Sequence, residues 1–218
     1  MFRKIFICAV TFAALLICGC GEEKVIGSPD KAILAYAQIA MTGNSDDLSA
    51  AGFVEDDKKE ICYVMANRFV ESMDGIAPLS NDSAQQLTKI YFDKLQGKIN
   101  FTTTLKKDDP ERPVVEITTT PIDQSNSART AASNDDFIAL IGMVGKLKAD
   151  GADDKQLKEN PDVQKLAVTA IEKYINEISF QSEKTFDVTC QKVKGHGGNN
   201  HWAPADTEAF LNFLTGQN

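Results

Sequence analysis

The hydrophobic period of this chain changes along its length, and that change restricts the fold more than any other feature. Over residues 28–96 apolar side chains recur at helical spacing. Ser28-Pro29 opens a first helix, with Ile33, Ala37 and Ala40 in one line and Leu34 and Met41 beside them. Thr42-Gly43-Asn44 ends it, Gly43 suiting a left-handed cap. Residues 55–74 predict a second helix striped by Ile61, Met65, Phe69 and Met73, with Cys62 on its edge. Residues 82–96 predict a third, with Leu87, Ile90, Tyr91 and Leu95 inward and Gly97 as its stop. Residues 98–105 and 114–120 then alternate and are rich in Thr, Val, Ile and Phe, as strands are. The polar stretch KKDDPERP between them makes a β-hairpin.

Residues 124–134, QSNSARTAASN, are polar and aperiodic and read as a loop. A helix follows over 135–148, with Phe137, Leu140, Ile141 and Val144 on one face and Gly151 beyond it. A short charged helix over 152–158 leads to Asn160-Pro161, a second cap and first-turn pair. The helix from Pro161 carries Val163, Leu166, Ala167, Ala170, Ile171, Tyr174, Ile175 and Ile178. Phe186, Val188 and Cys190 alternate with polar residues as in a half-buried strand. GHGGNN turns the chain, His201-Trp202 begin a short return strand, and residues 203–214 close as a helix. Helices, a hairpin, more helices and a final strand pair make an α+β fold with an antiparallel sheet. Neither an internal repeat nor a long linker divides residues 28–218, which read as a single α+β domain.

Hydrophobic residues are 43% of the 218 and charged residues 25%, an ordinary globular composition that excludes wholesale disorder. The net charge of −8 argues against a general nucleic-acid binder. Five cysteines are too few for a miniprotein built on disulfides.

Residues 1–19 read as a signal peptide. Arg3 and Lys4 precede the uncharged residues 5–17, a stretch too short for the ~20 residues of a spanning helix. Ile17-Cys18-Gly19-Cys20 then resembles a bacterial lipobox. That resemblance implies cleavage after Gly19 and lipid attachment at Cys20; bulky Ile17 before Cys18 makes Cys18 the poorer site. A diacylglyceryl group holds a protein firmly, since each buried methylene contributes ~0.8 kcal/mol. Loss of residues 1–19 removes Arg3 and Lys4 and leaves 21 basic against 31 acidic residues, a net −10. Anionic lipid repels such a surface, so the anchor would do the holding. Residues 20–27 form a short tether; at ~3.3–3.6 Å per residue its seven residues after Cys20 span at most about 25 Å.

Three stretches extend the resemblance to small bacterial envelope lipoproteins. They are SPDKAILAYAQIAMTGN after the lipobox, VVEITTTPID followed by a helical insertion, and the ending FDVTCQKVKGHGGNNHWAPADTEAFLNFLTG. The chain is similar to those whose domain of unknown function is nuclear transport factor 2-like, also called cystatin-like. The resemblance implies helices packed on a strongly curved antiparallel sheet, with a helical insertion between strands.

Few residues carry chemistry. His196 and His201 are the only histidines and flank one turn, where two imidazoles could contribute to a metal site with Asp206 or Glu208 nearby in sequence; the alternative is two exposed turn residues. Cys62 and Cys190 remain once the N-terminal cysteines are accounted for, and they read either as a disulfide or as two buried thiols. The acidic pairs at 46–47, 56–57, 108–109 and 153–154 lack EF-hand spacing and suit helix starts and turns. G-x-S-x-G, S-x-x-K, H-E-x-x-H and phosphate-loop patterns are missing. The expectation is therefore a lipid-anchored, extracytoplasmic envelope lipoprotein at the cell membrane or outer membrane. It would be a non-enzymatic binding or accessory module for a protein partner or small ligand, with no cofactor and no nucleic acid. The rivals are a pocket enzyme of the same fold class and a metal-binding lipoprotein using His196 and His201.

Overall fold

The computed structural model describes residues 25–74 and 78–217. The signal segment and Cys20 lie outside the described residues.

Helix α1 (Pro29–Thr42) is the centre of the molecule. Ala32, Ile33, Ala37, Ile39, Ala40 and Met41 are fully buried, so the helix is enclosed on most sides. Its many alanines allow close approach of its neighbours. Ser28 stands at the N-cap position without a side-chain cap bond, and Gly43 ends the helix at φ 69° as expected. A single turn, α2 (Leu48–Ala51), follows; it is too short to show a period in the sequence. Helix α3 (Glu55–Asp74) and α4 (Asn81–Leu95) pack on α1 and on each other. The α3 stripe of Ile61, Met65, Phe69 and Met73 is buried as the spacing predicts.

Strands β1 (Phe101–Lys107) and β2 (Val114–Thr119) form the expected hairpin. Four helices then intervene: α5 (Gln124–Ala132), α6 (Asp135–Ala149), α7 (Asp154–Glu159) and α8 (Pro161–Asn176). Helix α5 occupies the stretch read as a loop. Its order comes from tertiary bonds rather than a stripe. Asp123 caps it by accepting from the Asn126 N–H, Gln124 donates to the Thr215 carbonyl, and the Asn126 amide donates to Ser179. The chain returns through β3 (Lys184–Lys194) and β4 (Asn200–Pro204) and ends in α9 (Thr207–Thr215).

The sheet is an antiparallel meander in the order β1-β2-β3-β4. It is staggered: Lys184 to Thr189 pair with β2, and Cys190 to Lys194 pair with β4. Val115, Ile117, Val188 and Cys190 point into the core. On the opposite face Lys106 reaches both Glu116, at 3.0 Å, and Asp187, at 3.2 Å. Hydrophobic-in, polar-out alternation of this kind marks a sheet with one solvated side.

The strongly curved, nuclear transport factor 2-like or cystatin-like sheet implied by the resemblance is not what the structure shows. The α+β class, the antiparallel pairing and the helical insertion are present, but the sheet is open and four-stranded. Strong curvature needs bulges or glycine kinks within the central strands. Here β2 and β3 pair without interruption, and no strand contains glycine. The one register shift in β1–β2 falls between Leu105 and Lys107, at the end of an edge strand.

The described chain begins on this sheet. Val25 bridges Asn200 in parallel, and the Ile26 N–H donates to the Asn200 carbonyl at 2.9 Å. Two glycines permit the approach. A Cβ on Gly27 (φ +83°) would lie 2.7 Å from the Ala50 carbonyl oxygen, and one on Gly52 (φ +86°) 2.4 Å from that of Ile26.

Candidate functional site

The β3–β4 turn lies against the start of α3, and Asp57 joins the two. Asp57 is 6% exposed. Its Oδ2 accepts the Val54 N–H at 2.8 Å, the backward arm of a helix capping box. Its Oδ1 accepts the His196 N–H, also at 2.8 Å. One buried carboxylate thus serves as helix cap and turn clamp.

The two histidines of this turn face different surroundings. His196 is half exposed, and its Nε2 lies 2.9 Å from Glu60 Oε2. That hydrogen bond, aided by the nearby charges of Asp57, Glu60 and Asp56, raises its pKa above 6.5. His201 is only 5% exposed, its ring tilted against that of Phe53 at 4.4 Å between centroids. Burial lowers its pKa, with Asp57 and Glu60 opposing the shift. Its Nδ1 is buried and has no hydrogen-bond partner among the described residues. Gly195 passes so close that a Cβ there would lie 2.9 Å from this Nδ1 and 3.1 Å from Asp57 Oδ2.

This arrangement does not make the metal site that the His196/His201 spacing suggested. One imidazole points to Glu60 and the other into the core. Asp206 is occupied as the α9 cap, accepting from the Ala209 N–H. Among the described residues no group of three or more His, Cys, Asp or Glu side chains is placed to hold a metal ion.

The structure has Cys62 and Cys190 as free thiols. The Cys62 sulfur lies 3.8 Å from the Gly43 carbonyl oxygen at the end of α1, whereas the Cys190 sulfur lies 3.7 Å from that of Val188 in its own strand. Burial raises the pKa of both, and pushes Cys190 up to about 12. A nucleophilic cysteine needs the opposite shift.

A second site could not be read from the sequence. Residues of α3, α4 and α8, the segment after β2 and the end of α9 enclose a cavity of about 230 Å³. Met65, Phe69 and Ile178 give it an apolar wall. Arg68 supplies the one cation among its lining residues, which include no carboxylate, and its guanidinium donates to Asn212 of α9. Tyr91, 7% exposed, stacks on Phe69 at 4.9 Å, and burial raises its pKa. Its hydroxyl forms no hydrogen bond with a described residue. The volume is below the ~300–1,000 Å³ of drug-sized ligand pockets, so the cavity suits a small molecule. In the sequence Arg68 looks like any solvated charge beside a buried stripe, and nothing signals the convergence of five segments.

No family model and no curated protein matches the sequence. Among solved structures the fold is similar to that of ycdA from Bacillus subtilis, a protein provisionally described as a lipoprotein, with a TM-score of 0.57 at 15% identity. The similarity covers 86% of this chain and 55% of ycdA, so the chain spans about half the length of that protein. At this identity the likeness concerns the fold. No helix among the described residues is long and apolar enough to cross a membrane.

Proposed function

We propose that this chain is a lipid-anchored, extracytoplasmic binding module without catalytic chemistry, held through Cys20 and receiving a small ligand. The observation that carries the binding reading is the cavity under α3. It combines an apolar wall, one guanidinium and the Tyr91 ring, whose hydroxyl has no hydrogen-bond partner among the described residues, a set that suits a small anion with an apolar body. The same inventory argues against an enzyme. The two thiols have raised pKa values, His196 is committed to Glu60, and His201 is sealed against Phe53. The provisional description of ycdA agrees with the anchoring reading. So does the start of the described fold, because Val25 already lies on β4. Only residues 21–24 separate Cys20 from it, a reach of about 18 Å at most, which keeps the module at the membrane surface.

Palmitate labelling and fractionation of cells making the parent and Cys20→Ala test the anchor. Label and membrane association in the parent, both lost in the variant, are expected; label retained in Cys20→Ala removes the assignment. Thermal-shift titration with small apolar carboxylates and with amines of matched size tests the cavity. A rise in melting temperature with the carboxylates alone is expected. No rise with either, or an equal rise with both, overturns the binding reading.

A further inference from the structure

We propose that α6 is a self-association surface, packing antiparallel against α6 of a second copy about a twofold axis between Ile141 and Gly142. This surface shares no residue with the cavity. Helix α6 is packed on one side only. Phe137, Leu140 and Val144 are buried, and the Phe137 ring meets Tyr174 of α8 edge-on at 5.9 Å. On the other side Ile138 and Ile141 are each 57% exposed, more than any other described large aliphatic side chain. Gly142 and Gly145 also open outward, since a Cβ on either would meet nothing within 4 Å. At 100° per residue, Ile138, Ile141, Gly142, Gly145 and Ala149 fall within an arc of about 100°. The face is apolar, ridged at the isoleucines and hollow at the glycines.

Read backwards, this face is its own complement. With the axis between 141 and 142, Ile138, near the middle of the face, lies over the second copy's Gly145, while the two Ile141 side chains meet on one flank and the two Gly142 positions approach each other on the other flank. The central ridge then meets a hollow, and the paired glycines let the helices approach closely on the flank they occupy. The charges follow the same register. Asp135 and Lys146 flank the apolar face on the same side, and across the axis they differ in height by two residues, about 3 Å. Neither has an ion-pair partner among the described residues. The other charges at the helix ends are already engaged, Asp136 with Lys173 at 3.5 Å and Lys148 with Asp154 at 3.2 Å. A parallel twofold pair would instead put this charged flank of the two copies on opposite sides of the contact, where Asp135 and Lys146 find no partner. The charge pattern therefore selects the antiparallel arrangement and a partner bearing the same face, a second copy. One pair of 15-residue helices, each about 22 Å long, makes a contact at the small end of specific interfaces, so association rises with local concentration.

Oxidative cross-linking of the full chain in the cells that make it tests the arrangement. Gly142→Cys stands beside the axis, at an open helical position where a side chain is tolerated. It should give a disulfide-linked dimer severalfold above the parent and above Glu172→Cys on the exposed side of α8. Lys146→Cys should stay monomeric, because its two copies lie about 13 Å apart in height. In the Gly142→Cys background, Asp135→Lys or Lys146→Asp alone should lower the yield severalfold, and the two together should restore it. Gly142→Cys linking no better than Glu172→Cys, Lys146→Cys linking to itself, or a double charge swap no better than the single ones would each overturn the proposal.

Discussion

The Asp57 carboxylate holds the backbone N–H of His196, 139 residues further along the chain, at 2.8 Å. It holds the Val54 N–H at the same distance. Asp57→Ala removes both acceptors from a buried place and leaves two donors short of partners. A loss of about 1–3 kcal/mol is expected from denaturant unfolding. Faster amide hydrogen exchange at His196 and Val54 should accompany it, with little change at the far end of α3.

The two histidines should give stability opposite dependences on pH. His196 has a raised folded pKa, so its contribution is fully present below 6.5 and is lost as pH rises through the folded value. His201 has a lowered one. Below 6.5 the unfolded chain takes up a proton that the folded chain resists, so stability falls until the folded value is passed. Melting temperatures measured from pH 4.5 to 8 should show His201→Phe resisting the acid loss and His196→Gln losing only the gain present at low pH. Identical profiles for the parent and both variants would contradict this assignment.

Gly195→Ala should destabilise although the position is part of a turn. The added methyl would meet the His201 ring, set against Phe53, and the Asp57 carboxylate, held by two N–H groups. Overpacking of this kind costs about 1–3 kcal/mol. Calorimetry of the alanine variant reads it directly.

Trp202 is 7% exposed, and the Lys192 ammonium of its cross-strand partner lies 5.7 Å from the ring centroid. Trp202→Ala should cost about 3–5 kcal/mol, enough to unfold a domain of ordinary stability. A variant that melts with the parent would show that the ring is not a core anchor.

Both thiols should resist alkylation at pH 8 while the chain is folded. Burial raises the pKa of Cys62 and takes Cys190 to about 12, which leaves little thiolate. Mass spectrometry should find neither residue labelled in the native protein, and both labelled in denaturant without a reductant.

Patterns confined to one element were legible in the sequence. The α3 stripe, the β1–β2 hairpin and the cap of α8 by Asn160 depend on neighbours a few residues apart, and all three are present. What escaped depends on distant partners. Helix α5 has no apolar stripe and rests on Thr215 and Ser179. Alternation marks β2 and β3 as strands but carries no information on how far a sheet bends. Five-residue spacing set His196 and His201 on one turn, yet their directions follow from Glu60 and Phe53, which arrive from the start of α3 and the segment before it. Arg68 lines the cavity with its α3 neighbours and donates to Asn212 of α9, a partner 144 residues away that local spacing does not announce.

The bridge between Val25 and Asn200 also sets how the fold bears mechanical load. Tension applied to the chain ahead of Val25 enters at the β4 edge, where the Ile26 N–H to Asn200 bond is the first link in series. Once that link parts, Gly27 and Ser28 transmit the pull to Pro29 and so to α1, whose Ile33 and Ile39 are wholly enclosed. The short bridge therefore acts as a fuse, yielding before force reaches the helix on which the other layers are assembled.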